Sequence, residues 1–234
     1  MEKLPETIKA VLLQFGLELL GDIPDRNIRG SVNLTYVVST NAGLKVVQRL
    51  APMFNESLVA QSVKVYHYLR GRGVPTAECC FTPNGSVAVR HAGFVWRVLE
   101  YIEHDPTATK SNARVISAAN MLGRFHEALK DCAYNLECPL LHFHDTRHYL
   151  SRLSEVAQLP QGQEITGFQA LALQVISHGL SVIGLPQTNP IVIHGDPKFD
   201  NFLYKGTAAV AIVDLDTLRV GSELLDLGDA MRSW

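Results

Sequence analysis

Four side chains bearing carboxylate or amide oxygens fall close together in an order that could do chemistry. An apolar run from Ile191 leads into His194-Gly195-Asp196, and Asn201 lies five residues after Asp196. A second apolar run starts at Phe202, a turn follows at Lys205-Gly206-Thr207, and a third run ends on Asp214-Leu215-Asp216. A carboxylate near a hydroxyl can accept or orient its proton. Amide and carboxylate oxygens suit a hard cation such as Mg²⁺. Phosphoryl transfer needs both kinds of group, and Lys198 adds a positive charge among them. Taken singly, each residue reads as a polar group in a turn-rich loop. Taken together between apolar strands, they read as a site.

The elements that would position this set follow from periodicity. Residues 5–20 carry Ile8, Val11, Leu12, Phe15 and Leu19 at helical spacing. Residues 28–50 read as a β-hairpin turning at Thr40-Asn41-Ala42-Gly43. Alternation on the return strand puts Lys45, Val47 and Arg49 on one face and Val46 and Gln48 on the other. Residues 55–70 read as a helix ended by Gly71 and Gly73. Residues 81–90 read as a strand pair around Pro83-Asn84-Gly85, and 94–102 as a nearly continuous strand. Ser111 is a cap for a helix to about Asp131. Asp145 or Thr146 caps a helix containing Tyr149, Leu150 and Leu153, a reading preferred over a metal site at His142, His144 and His148. Residues 166–185 form a further long helix, stopped by Pro186.

Composition bounds the class. The chain has 234 residues, room for one domain or two lobes, with 47% hydrophobic and 19% charged residues. A formal net charge of -2 carries no nucleic-acid footprint. No apolar run approaches the roughly 18 residues that a membrane helix needs. Cys79, Cys80, Cys132 and Cys138 show neither a C-x-x-C pair nor zinc spacing, so reduced thiols and a cytoplasmic location are expected. The N-terminus lacks a signal-peptide apolar region of usual length.

The word from His194 to Asn201, with Asp214-Leu-Asp216 after it, resembles the aminoglycoside phosphotransferase and choline kinase superfamily of kinase-like small-molecule phosphotransferases. Gly195 stands where protein kinases have arginine. Val213-Asp-Leu-Asp-Thr217, and the stretch from Gly221 to Arg232, look most like the N-acetylhexosamine kinase branch. The resemblance implies an α+β, protein-kinase-like two-lobed fold. Residues 1–103 would form a nucleotide-binding lobe with a small antiparallel sheet. Residues 104–234 would form a mainly helical lobe carrying the catalytic hairpin.

It also implies ATP and Mg²⁺ and a set of roles. Asp196 would be the base and Lys198 would neutralise γ-phosphate charge. Asn201 and Asp214 would hold Mg²⁺, with Asp216 on a second Mg²⁺ or its water. Ser31 and Asn33 would cover the phosphates, and Glu100, Tyr101 and Ile102 would be the hinge for adenine. His194 would order the loop, and Asp226 and Asp229 would brace it.

The sequence departs from the kinase pattern at the return strand, where Gln48-Arg49 stands in place of a lysine. Arg49 is favoured for its charge and Gln48 is the rival. Ser62 or Gln61 falls where a helix glutamate is expected, and Glu56, in the first turn, complements the helix dipole. The expected function is phosphoryl transfer from ATP to a hydroxyl of a small molecule, foremost an N-acetylhexosamine or related sugar. Homoserine, choline and aminoglycosides are rivals within the class. A non-catalytic remnant that binds nucleotide or a partner is the alternative outside it. The chain stops sooner after Arg232 than the resembling proteins do, so a shortened second lobe with exposed apolar surface, Trp234 included, is expected.

Overall fold

The fold is that of a computed structural model, which describes residues 4–23, 28–29, 33–107, 109–132, 134, 136–137, 140–160, 164–183 and 190–234. It divides into two compact units, Met1–Pro139 with Ile191–Trp234, and Leu140–Pro190. The boundary read near residue 103 falls inside the first unit.

The first unit begins with α1 (Leu4–Gln14). A sheet follows, built from β1 (Ile28–Arg29), β2 (Leu34–Thr40), β3 (Gly43–Arg49), β4 (Val89–His91) and β5 (Phe94–Glu100). Its order is β1-β2-β3-β5-β4, antiparallel throughout. Alternation along the strands gives the sheet two different faces. Tyr36, Val38, Val47, Trp96 and Val98 pack against Ile8, Val11, Leu12 and Phe15 of α1 and the turn after it. Burying each large apolar side chain contributes about 1.5–3 kcal/mol. The residues between them, including Val37, Val46, Gln48, Arg97 and Leu99, face a cavity on the other side.

Helix α2 (Glu56–Gly71) is capped by Asn55, whose Oδ1 accepts from the Leu58 N–H at 2.9 Å. Helix α3 (Asn112–Leu129) starts at the expected cap, with Ser111 Oγ accepting from the Arg114 N–H. These helices share a core with the C-terminal part of the unit, including Tyr66, Leu69, Phe125, Phe199, Phe202 and Ile212. That part contains β6 (Ile191–Ile193), β7 (Phe202–Lys205), β8 (Ala208–Ile212), β9 (Arg219–Gly221) and, after Ser222, α6 (Glu223–Ser233). Strands β6 and β9 pair antiparallel, as do β7 and β8.

The strand pair expected over 81–90 does not form. The turn at Pro83–Gly85 is present, but Thr82 closes it locally: its N–H donates to the Ser86 carbonyl and its Oγ1 accepts from the Ser86 N–H. Such side-chain bonds compete with a ladder. Only Val89–His91 reaches the sheet.

The second unit holds α4 (Thr146–Gln158) and, numbered here α5, Phe168–Ile183. Asp145 caps α4 by accepting from the His148 N–H at 2.9 Å. Gly179 allows close approach of the two helices, since a Cβ there would lie 2.6 Å from Leu150 Cδ1. The rings of His142 and His148 stack at 3.6 Å, and among the described residues no group of three His, Cys, Asp or Glu could hold a metal ion. Pro186, read as the stop for α5, lies outside the described residues. No described helix is long and apolar enough to cross a membrane.

Candidate active site

The loop after β6 is fixed from below. Ser222 caps α6, and this sets Asp226 in the first turn of that helix. Asp226 is fully buried, and its carboxylate accepts from the backbone N–H of His194 at 2.8 Å and of Gly195 at 2.7 Å. The ring of His126 on α3 lies 2.8 Å from the same carboxylate. Burial works to raise the Asp226 pKa, but these donors and nearby His194 hold it below the usual carboxylate range. Gly195 takes φ 86, a conformation that needs glycine, and so turns the chain sharply into Asp196.

His194 orders the loop through both ring nitrogens. Its Nδ1 accepts from the Asp196 N–H at 3.3 Å, so the proton is on Nε2, which donates to the Val213 carbonyl at 3.0 Å. The Thr217 hydroxyl donates to the His194 carbonyl at 2.8 Å. Asn201 ends a 3₁₀ turn (Phe199–Asn201), and its Nδ2 donates to the Asp196 carbonyl at 2.7 Å. Its Oδ1 therefore remains as an acceptor. Lys198 Nζ lies 2.6 Å from Asp196 Oδ2.

The end of α6 closes over this loop. Trp234, expected to be exposed, is half-buried against the core. Its indole N–H donates to the Pro197 carbonyl at 3.0 Å, and its ring meets Phe202 edge-on at 5.5 Å. Ser233 Oγ accepts from the Phe199 N–H at 2.9 Å.

The loop borders a cavity of about 710 Å³. Asp196, Lys198, Asn201 and Asp214 form one wall, and the sheet face with Gln48 and Arg97 forms another. Glu100, Tyr101 and Ile102 also line it, with Ile102 accepting from His104 Nδ1 at 2.7 Å. The Glu100 side chain is tied to Lys45 Nζ at 2.8 Å. Glu100 is thus committed to Lys45, leaving the strand-end backbone as this segment's contribution.

Asp214 opens a 3₁₀ turn (Leu215–Thr217) in the left-handed conformation, φ 62 and ψ 52. Such a backbone in a non-glycine residue is strained, and strain of this kind gathers at functional sites. Burial raises the Asp214 pKa and Asp216 adds to it, against Arg97, His194 and Lys198. The Asp214 carboxylate has no hydrogen-bond or ion-pair partner among the described residues. A carboxylate so placed, with the free Asn201 Oδ1, fits a hard cation that keeps water and phosphate oxygens in its shell.

Several expected roles change. Asp216 does not accompany Asp214 as a free carboxylate. The intervening turn carries it to the sheet, where Oδ1 meets Arg97 Nη1 at 2.6 Å and Oδ2 meets Arg97 Nη2 at 2.8 Å. Asn33 Nδ2 also donates to Asp216 Oδ2 at 2.7 Å, and Asn33 Oδ1 accepts from the Ala51 N–H at 3.0 Å. Asn33 is therefore a brace rather than a free donor. Arg49 faces away from the cavity, over the Phe94 ring at 4.3 Å, because strand alternation turns it to the α1 side. Gln48 is the residue of the pair that faces inward. Ser31 lies outside the described residues. Glu56 pairs with Arg90 at 2.9 Å, and Tyr66 is the α2 residue that lines the cavity.

Sequence reading missed Arg97. The available signal was a single cation, Arg97, amid the apolar residues of the run 94–102, since a buried charge requires a partner.

A five-stranded antiparallel sheet facing a loop that carries Asp196, Asn201 and Asp214 is the arrangement expected of a kinase-like phosphotransferase. The model of the phosphotransferase enzyme family matches residues 26–234, and the chain belongs to that family. The fold is similar to that of an aminoglycoside phosphotransferase from Alicyclobacillus acidocaldarius subsp. acidocaldarius DSM 446, at 18% identity and TM-score 0.67, over 99% of this chain and 71% of that one. It is similar to an amicoumacin kinase in complex with AMP-PNP, Ca²⁺ and Ami, at 17% identity and TM-score 0.62, over 92% and 66% of the two chains. It is also similar to a spectinomycin phosphotransferase in complex with ADP and spectinomycin, at 13% identity and TM-score 0.62, over 96% and 71%. The chain thus spans 66–71% of the length of these three proteins.

Proposed function

We propose that the protein transfers the γ-phosphoryl group of ATP, with Mg²⁺, to a hydroxyl of a small molecule. One observation carries this reading: Asp196, Lys198, Asn201 and Asp214 line the same cavity as the strand-end segment Glu100–Ile102. Asp196 orients the acceptor hydroxyl and takes its proton. Lys198, now paired with Asp196, moves to the negative charge of the transferred group. Asn201 Oδ1 and Asp214 hold the cation, and the Glu100–Ile102 backbone faces the base. Bound Mg²⁺ would supply charge neutralisation on the phosphates. Membership of the phosphotransferase enzyme family supports the reaction class.

For the acceptor we propose an N-acetylhexosamine or related sugar, supported by the words Val213–Thr217 and Gly221–Arg232. The proteins of similar fold are named for other hydroxyl compounds: aminoglycosides, amicoumacin, spectinomycin and macrolides. The test is ADP release from Mg-ATP with N-acetylhexosamines, other sugars, homoserine, choline and these antibiotics, beside Asp196→Asn. Turnover with an acceptor should fall by about 10²–10⁴ in the variant. Equal turnover in both proteins would refute the role of Asp196. Mg-dependent ATP binding without turnover would favour the non-catalytic alternative.

A further inference from the structure

A kinase-type site needs a cation on the sheet to meet the nucleotide phosphates, and an acid to hold that cation in place. Strand β3 offers no lysine facing the cavity. Lys45 points to Glu100 and Arg49 to Phe94. Gln48, which does face the cavity, is neutral and pairs across the sheet with Arg97.

The Arg97 side chain is 1% exposed yet forms part of the cavity wall. A guanidinium has five N–H groups. Three are engaged: Nε–H on Gln48 Oε1 at 2.7 Å, and one each from Nη1 and Nη2 on the two oxygens of Asp216. Two remain without a protein partner among the described residues. Buried donors left unsatisfied are costly, and a phosphate oxygen at the cavity wall would satisfy one of them.

We propose that Arg97 is the phosphate-binding cation of this protein, with Asp216 as its anchor and Gln48 as its lateral support. The inference rests on the nucleotide reading above. The arrangement has the charge balance of a strand lysine with a helix glutamate, but both parts are relocated. The cation moves from β3 to β5, and the acid moves from α2 to the turn that carries Asp214. One turn then serves both the metal and the phosphate sides of the nucleotide. Asp216 is two residues from Asp214, so a shift of that turn would displace cation anchor and metal ligand together.

The test is titration calorimetry of the full chain with Mg-ADP and, separately, adenosine, which lacks phosphates. Arg97→Met alone would strand a buried Asp216 carboxylate, so it is combined with Asp216→Asn, which keeps an acceptor for Asn33. Arg97→Lys is the second variant. In the double variant Mg-ADP affinity should fall by about 10–100-fold, the range for a lost hydrogen bond to a charged group. Adenosine affinity should stay within about 3-fold, because the base contacts lie elsewhere. Arg97→Lys should give an intermediate loss for Mg-ADP alone. Equal losses for both ligands would reduce Arg97 to a structural role, and unchanged Mg-ADP affinity would overturn the proposal outright. Wild-type protein that binds neither ligand would overturn the nucleotide reading itself.

Discussion

Replacing Asp226 by alanine tests how the loop of the site is held. The carboxylate is fully buried and accepts from the backbone N–H of His194 and of Gly195. Alanine strands these two buried donors. Each such donor costs about 1–3 kcal/mol, or about 2–6 kcal/mol for the pair. Removing the carboxylate also removes its own desolvation cost, which offsets part of this. A net loss of about 2–4 kcal/mol is expected, a large share of the 5–15 kcal/mol typical of a folded domain. That should lower Tm by about 5–15 °C for a chain of this size. Urea denaturation of Asp226→Ala and Asp226→Asn beside the wild type measures it. Asparagine should rescue only in part, because its amide presents one acceptor where two N–H groups converge.

The pH dependence gives a second reading of the same group. Asp226 is held below the usual carboxylate range. Its stabilisation is therefore complete above the ordinary carboxylate pKa of about 3.9. It is lost as pH falls through the depressed value. The gap between wild type and Asp226→Asn should narrow over that acidic window. A cost for Asp226→Ala below about 1 kcal/mol, or a gap independent of pH in acid, would refute the reasoning.

Two more outcomes are expected. Asp214 is held above the usual range, so the fold favours its protonated form: that contribution is present at low pH and lost as pH rises through the raised value. If Asp214 is a Mg²⁺ ligand as proposed, the ion competes with the proton, so its affinity, measured by thermal shift, should rise with pH through that window and then level off, and Asp214→Asn should flatten the dependence. Trp234→Phe keeps a ring against Phe202 but removes the N–H bond to Pro197, and should cost about 0.5–1.5 kcal/mol in urea denaturation with a modest loss of turnover; no change in either would show that the indole bond does not help to hold the loop.

The course of the chain was legible where local chemistry decides. Ser111 marks a helix start because a side-chain oxygen there meets orphan N–H groups of the first turn, and Asp145 does the same for α4. Period-two alternation separated Val47 from Val46 and Gln48 from Arg49 correctly. It could not say which face looks into the cavity, because that depends on α1 covering one side of the sheet. The short turn after Asp214 was invisible for a related reason. Strand alternation would keep Asp214 and Asp216 together, but a left-handed residue at 214 and a 3₁₀ turn divide them between cavity and sheet.

The sequence by itself determined most of the helices and the first hairpin, the order of His194, Asp196, Asn201 and Asp214, and hence the reaction class they suit. Tertiary structure alone decided the partners: Asp216 with Arg97 across 119 positions, Asn33 with Asp216 across 183, and Asp226 under the loop. Caps and alternation act within a few residues, so they leave a trace in the sequence. A buried charge is stabilised only by a group brought to it through space, and nothing in its neighbours along the chain names that group.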